Sequence, residues 1–145
     1  MKLSPSNDSI LGHVAFPKQW TVFGPVDGAD VPIPAEALCA LPGTLVIGGR
    51  TLAAQTLVPN RNQFEFKPLY GAPPYKRPRS VVVFVPLHSD SDQDVTLGVG
   101  ADWFFRVWVN GVVVLDLMDD GNGKGRPAID NHRMAVRLRR GANEI

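Results

Sequence analysis

Cysteine is almost absent from this chain. Cys39 is the only one in 145 residues, so an intramolecular disulfide and a thiolate metal cluster are both excluded. Its apolar neighbours predict a buried thiol rather than a reactive one. An excess of charge is missing too, because fifteen basic residues face fourteen acidic ones. This balance argues against nucleic acid or an anionic membrane as the partner.

Long apolar runs are also missing. No stretch approaches the roughly 20 apolar residues of a transmembrane helix. Residues 1–20 lack the apolar core of a secretory signal peptide, so none is expected. The three histidines (His13, His88 and His132) are isolated from one another, and no nucleophile elbow or phosphate-binding glycine loop occurs. The sequence therefore predicts a protein that is not an enzyme.

Proline and glycine, in contrast, are plentiful. Thirteen prolines and fourteen glycines divide the chain into short segments, which is typical of short strands joined by turns. One short helix is expected near residues 35–41, because Pro34 precedes this segment and Pro42–Gly43 ends it. Apolar and alternating runs predict strands over 20–23, 44–47, 51–58, 63–67, 80–85, 94–99, 104–109, 112–115 and 133–138.

The strongest local signal is Asn110–Gly111, which lies between two β-rich runs. Asn-Gly is the preferred pair for the type I′ turn of a β-hairpin. Alternation along the preceding strand separates two faces. The apolar face, expected in the core, consists of Trp103, Phe105, Val107 and Val109. The mixed face consists of Phe104, Arg106, Trp108 and Asn110.

The end of the chain predicts a turn over 140–143, after which Ile145 begins a further strand. We therefore expect a single domain over 16–145, preceded by an N-terminal extension over 1–15. We expect its last strand to be missing, to be supplied by a partner or to lie beyond Ile145, and an open sheet edge of this kind favours pairing.

Several segments occur together in a characteristic order, namely 20–25, 41–49, 95–103, 107–114 and 138–145. Their combination resembles the galactose-binding-like jelly-roll family, the accessory β-sandwich domains of many bacterial glycoside hydrolases. The resemblance covers 95–145 well and 16–50 loosely. It implies an all-β, jelly-roll-like antiparallel β-sandwich of about eight strands, a ligand site on loops at one edge, and an extracellular location.

The resemblance and the mixed face favour a non-catalytic carbohydrate-binding module, or a domain derived from one. Sugar sites combine aromatic faces with polar groups that bind hydroxyls. The candidate ligand-binding residues are Trp108, Arg106, Tyr70, Tyr75, Asp119, Asp120 and Asn122. The alternative for each is ordinary packing or a solvated turn.

A second hypothesis is a structural module that mediates protein–protein association and binds no sugar. Strand donation from a neighbour, in a homo-oligomer or a larger particle, would complete the sheet. The missing strand and the near-neutral charge favour this alternative.

An acidic segment raises the possibility of a structural calcium ion. Asp90, Asp92 and Asp94 are spaced as at the start of a calcium loop, and they are the candidate metal ligands. The match to an EF-hand then fails, because Val95 and Ala101 replace the required glycine and glutamate. An ordinary polar turn is the alternative.

Overall fold

A computed structural model describes residues 15–60, 63–72 and 76–145. This part of the chain forms eleven strands and one short helix, and none of its helices is long and apolar enough to cross a bilayer. The elements are β1 (Trp20–Asp27), β2 (Thr44–Ile47), β3 (Arg50–Ala53), β4 (Gln55–Leu57), α1 (Lys67–Tyr70), β5 (Arg79–Phe84), β6 (Pro86–Ser89), β7 (Gln93–Val99), β8 (Arg106–Val109), β9 (Val112–Asp116), β10 (His132–Leu138) and β11 (Gly141–Glu144). The predicted all-β class is confirmed, with more and shorter strands than expected.

Every strand pairing is antiparallel. β1 lies between β4 and β5, and the other strands pair as β2–β3, β6–β11, β7–β10 and β8–β9. The predicted Asn-Gly hairpin is confirmed, because φ is 51° at Asn110 and 83° at Gly111. These left-handed conformations are those that a type I′ turn requires.

Within the described part of the chain, two apolar clusters form the interior of this sandwich-like fold. The first is built by Phe23, Val26, Ala37, Leu45, Ile47, Leu52, Val82 and Phe84. The second is built by Leu87, Val109, Val136 and Leu138. The alternation predicted for β10 is confirmed, since Val136 and Leu138 are buried while Arg137 between them is exposed.

The segment near residues 35–41 is not the expected helix. It forms consecutive turns, in which the Ala37 amide donates to the Pro34 carbonyl at 3.0 Å and the Leu38 amide to the Ala35 carbonyl at 3.2 Å. Each of these bonds joins residues three apart, which is the spacing of a turn and not the four-residue spacing of an α-helix. Cys39 also differs from its prediction, because it is exposed.

Two further predictions of local structure are wrong. Residues 63–67 do not form a strand, because Asn60 and Gln63 pair with each other and residues 64–67 pair with none of the described strands. Residues 141–143 of the turn predicted over 140–143 belong instead to β11, whose backbone pairs with β6. Whether the sandwich lacks a last strand stays a prediction.

A buried asparagine explains the form of this C-terminal segment. Asn143 is 0% exposed. Its Nδ2 donates to the carbonyl oxygens of Arg139 at 2.8 Å and Gly141 at 3.1 Å. Its Oδ1 accepts from the Arg139 amide at 3.0 Å and from Asn110 Nδ2 at 2.8 Å. The amide thus joins the start of β11 to the turn of the β8–β9 hairpin.

Candidate ligand-binding groove

A shallow concavity of about 360 Å³ lies between the β1–β2 connection and strand β8. We call it the groove. It is lined by Asp30, Val31, Pro32, Ile33, Leu38, Arg106 and Trp108. Five of these seven residues are apolar, and the volume lies at the low end of the range for small-ligand sites.

Strand β8 supplies the two groove residues that the sequence predicted. Val107 and Val109 are 8% and 5% exposed and point into the protein. Arg106 and Trp108 therefore point the other way, because side chains alternate along a strand. The guanidinium carbon of Arg106 lies 5.8 Å from the centre of the Trp108 ring. The mixed face thus brings an aromatic ring and a charged group together at one surface.

Arg106 forms ion pairs with two aspartates. Its Nε donates to Asp116 Oδ2 at 2.7 Å, while its two terminal nitrogens donate to the two carboxylate oxygens of Asp30 at 3.0 and 3.3 Å. Bidentate contacts such as the one to Asp30 fix the orientation of the guanidinium and strengthen the ion pair. The hydrogen bond to Asp116 is the largest cause that raises the pKa of Arg106. In return, Arg106 and then the Met118 amide lower the pKa of Asp116.

The wall of the groove opposite β8 is formed by residues of the β1–β2 connection, and contacts along this connection hold it in place. The Gly28 amide donates to the Pro78 carbonyl at 3.0 Å, and Ser80 Oγ donates to the Gly28 carbonyl at 2.6 Å. Val31 and Ile33 pack against the first apolar cluster. The groove is therefore a preformed feature of the fold rather than a gap beside a loose loop.

The acidic and apolar groove residues were not predicted from sequence. Asp30 meets Arg106 across a separation of 76 residues, and no local pattern reports a contact of that kind. The one local signal is that the β-branched residues Val31 and Ile33 alternate with Asp30 and Pro32.

Tyr70, a predicted ligand-binding residue, does not line the groove. Its hydroxyl donates to Gln55 Oε1 at 3.0 Å, and burial raises the pKa of this hydroxyl. Its ring stacks on Phe66 with 6.3 Å between centroids, and this contact extends through Phe64 to Trp20. The observed contacts favour packing for Tyr70. Tyr75 lies outside the described residues.

The second acidic turn also lies outside the groove lining. Asp119 and Asp120 are exposed, and their ligand-binding role stays a prediction. Asn122 is only 2% exposed. Its Nδ2 donates to Asn131 Oδ1 at 3.2 Å, and its Oδ1 lies 2.9 Å from His132 Nε2. This burial and these contacts favour a structural role for Asn122, whose amide helps to hold the 117–131 connection together.

The three candidate metal ligands do not converge. Asp92 Oδ1 accepts from the Arg140 amide at 2.7 Å, and Asp94 Oδ2 pairs with Arg137 at 3.2 Å. Asp90 Oδ1 lies 4.0 Å from a ring nitrogen of His88. Throughout residues 15–60, 63–72 and 76–145, no three His, Cys, Asp or Glu side chains are grouped closely enough to hold a metal ion. These carboxylates thus lend no support to a calcium site.

Comparison of the chain with protein-family models, with curated proteins and with solved structures found no match. The functional interpretation of the groove therefore depends on its geometry and chemistry.

Proposed function

We propose that this chain is a non-catalytic carbohydrate-binding module of the galactose-binding-like jelly-roll type and that the groove binds the sugar. The observation that carries the proposal is the placement of Trp108 and the Arg106–Asp30 ion pair in one concavity with an apolar wall. A pyranose has the complementary surface, because C–H groups cover its ring faces and hydroxyls surround its edge.

The apolar and polar parts of the groove have separate roles in this proposal. Trp108 and the wall formed by Val31, Pro32 and Ile33 cover the C–H surface of the ring. Hydroxyls at the sugar edge hydrogen-bond to the exposed oxygens of Asp30 and to the unused N–H groups of Arg106. A shallow site with few polar contacts predicts weak binding, with Kd of about 0.1–1 mM.

A glycan-array screen followed by calorimetry tests the proposal. Trp108→Ala should weaken binding of the best glycan by about tenfold or more, since it removes the aromatic surface of the groove. Phe104→Ala is the matched control, because Phe104 is 54% exposed and does not line the groove. The proposal fails if no glycan binds, or if the two variants weaken binding equally.

Strand β9 favours the second candidate function, association between copies of this chain. Among the described residues, β9 pairs only with β8, and it exposes 65% of Val112 and 48% of Val113. An exposed apolar edge strand is a template for antiparallel pairing. Light scattering on a sizing column distinguishes the candidates: a sugar-binding module should elute as a monomer near 15.8 kDa, whereas an assembly module should form a discrete oligomer.

A further inference from the structure

The ion-pair cluster at the groove, formed by Arg106, Asp30 and Asp116, has more open hydrogen-bond acceptors than donors. Arg106 uses Nε and one N–H on each terminal nitrogen, so each terminal nitrogen retains a further N–H. Asp30 and Asp116 together accept these three bonds, and Asp116 accepts one more from the Met118 amide. Each carboxylate oxygen has two lone pairs, so about half of the acceptor positions on the two aspartates stay open.

The charge that this cluster presents to solvent is negative, which also favours ligands that donate hydrogen bonds. Two carboxylates surround one guanidinium, which leaves one uncompensated negative charge. The Asp30 and Asp116 side chains are 57% and 45% exposed, against 24% for Arg106. Asp30 and Arg106 are the only charged residues among those described that line the groove. Asp116 lies outside this lining, and it adds its negative charge through its 2.7 Å contact with Arg106.

From this arrangement we infer that the groove selects sugars whose polar edge donates hydrogen bonds and carries no negative charge. The ligand class is uncharged or amino-bearing pyranosides, and uronates and sulfated sugars are rejected. This inference rests on the proposed function and adds the substrate class. A sugar hydroxyl or ammonium group finds an acceptor at Asp30, which lines the groove. An anionic substituent instead meets the excess negative charge of Asp30 and Asp116 over the single positive charge of Arg106.

The difference in affinity between neutral and anionic sugars should be large enough to measure. A like charge about 5 Å away, in a partly exposed site, weakens binding by about tenfold or more. Because both carboxylates are exposed, salt should reduce this difference. An ammonium group should gain affinity over the neutral sugar and lose that gain at high salt.

The test uses matched trios of methyl pyranosides: galactose, galactosamine and galacturonic acid, with the corresponding gluco series. Relative affinities are measured by saturation-transfer NMR with the full chain, and only binding that Trp108→Ala abolishes is counted. The inference expects the neutral and amino sugars to bind about tenfold or more tightly than the uronate. Asp116→Asn should reduce this ratio by about threefold or more. Asp130→Asn removes the same charge from an exposed residue outside the groove lining and should leave the ratio unchanged.

The possible results distinguish a wrong substrate class from a wrong proposed function. If a uronate binds as tightly as its neutral partner in a Trp108-dependent manner, the substrate class is wrong and carbohydrate binding stands. An unchanged ratio in Asp116→Asn also overturns the inference. If no member of either trio binds in a Trp108-dependent manner, the proposed function and the substrate class both fail.

Discussion

Replacing Asn143 by alanine should be among the most destabilising polar substitutions in this protein. The side chain is 0% exposed and makes four hydrogen bonds, with lengths between 2.8 and 3.1 Å. One bond reaches Asn110, whose own amide N–H and side-chain oxygen bond to the backbone of Glu144 at 2.8 and 3.0 Å. Alanine would therefore loosen both the C-terminal strand and the hairpin that carries Trp108.

The size of the effect can be worked out from these contacts. Each bond contributes about 1 kcal/mol net, and a partner left buried without a substitute costs more. Water can reach the groups of Arg139, which is exposed, so part of the loss is recovered. The free energy of unfolding should fall by about 3 kcal/mol, which lowers the urea midpoint by about 1.5 M for a slope of about 2 kcal/mol per M.

Urea unfolding followed by circular dichroism measures this change, and Asn60→Ala provides the matched control. Asn60 is exposed, so its replacement should change the free energy by less than about 0.5 kcal/mol. A loss of less than about 1 kcal/mol for Asn143→Ala would refute the assignment of Asn143 as a structural hub.

Three further predictions concern packing and pH. Gly98→Ala should lower the free energy of unfolding by about 2 kcal/mol, because the new Cβ would overlap a backbone carbonyl oxygen. In the same urea assay, Gly125→Ala should leave the free energy of unfolding unchanged, because no atom lies within 4 Å of the added Cβ. Burial raises the pKa of Glu144. Its contribution to the stability of the fold is therefore most favourable in acid, where the carboxyl is protonated, and is lost as the pH rises. Glu144→Gln should therefore raise Tm at pH 7 and leave it unchanged near pH 3. The pKa of Asp116 is lowered by Arg106, so Asp116→Asn should lower Tm at pH 7, and the difference should vanish as acid protonates the wild-type carboxyl. Tm profiles in which either variant shows the opposite sign would contradict these assignments.

Local patterns predicted the parts of the fold that local interactions determine. The hairpin at Asn110–Gly111 follows from the φ values that its turn requires, and the buried face of β10 follows from strict alternation. The segments over 35–41 and 63–67 were predicted wrongly. Both are short, and their conformation depends on which neighbours are present. Propensity alone does not contain that information.

The groove was half predictable for a similar reason. Because side chains alternate along a strand, the sequence alone predicts that Arg106 and Trp108 lie on one surface. Asp30 could not be predicted, because its ion pair joins residues 76 positions apart. Asn143 is an intermediate case. It lies in a C-terminal segment that the sequence singled out, but the hydrogen bonds that explain it depend on Arg139 and Asn110.

The most direct test of the sugar site in the groove tracks the three tryptophans during a sugar titration. Trp20, Trp103 and Trp108 should each give one indole N–H signal in a ¹H–¹⁵N spectrum, assigned by single Trp→Phe variants. With the best neutral glycan from the array, the Trp108 signal should shift in a saturable way, while those of Trp20 and Trp103 stay in place. A saturable shift confined to Trp103 or Trp20, or no shift at saturating glycan, would contradict the assignment of the groove as the sugar site.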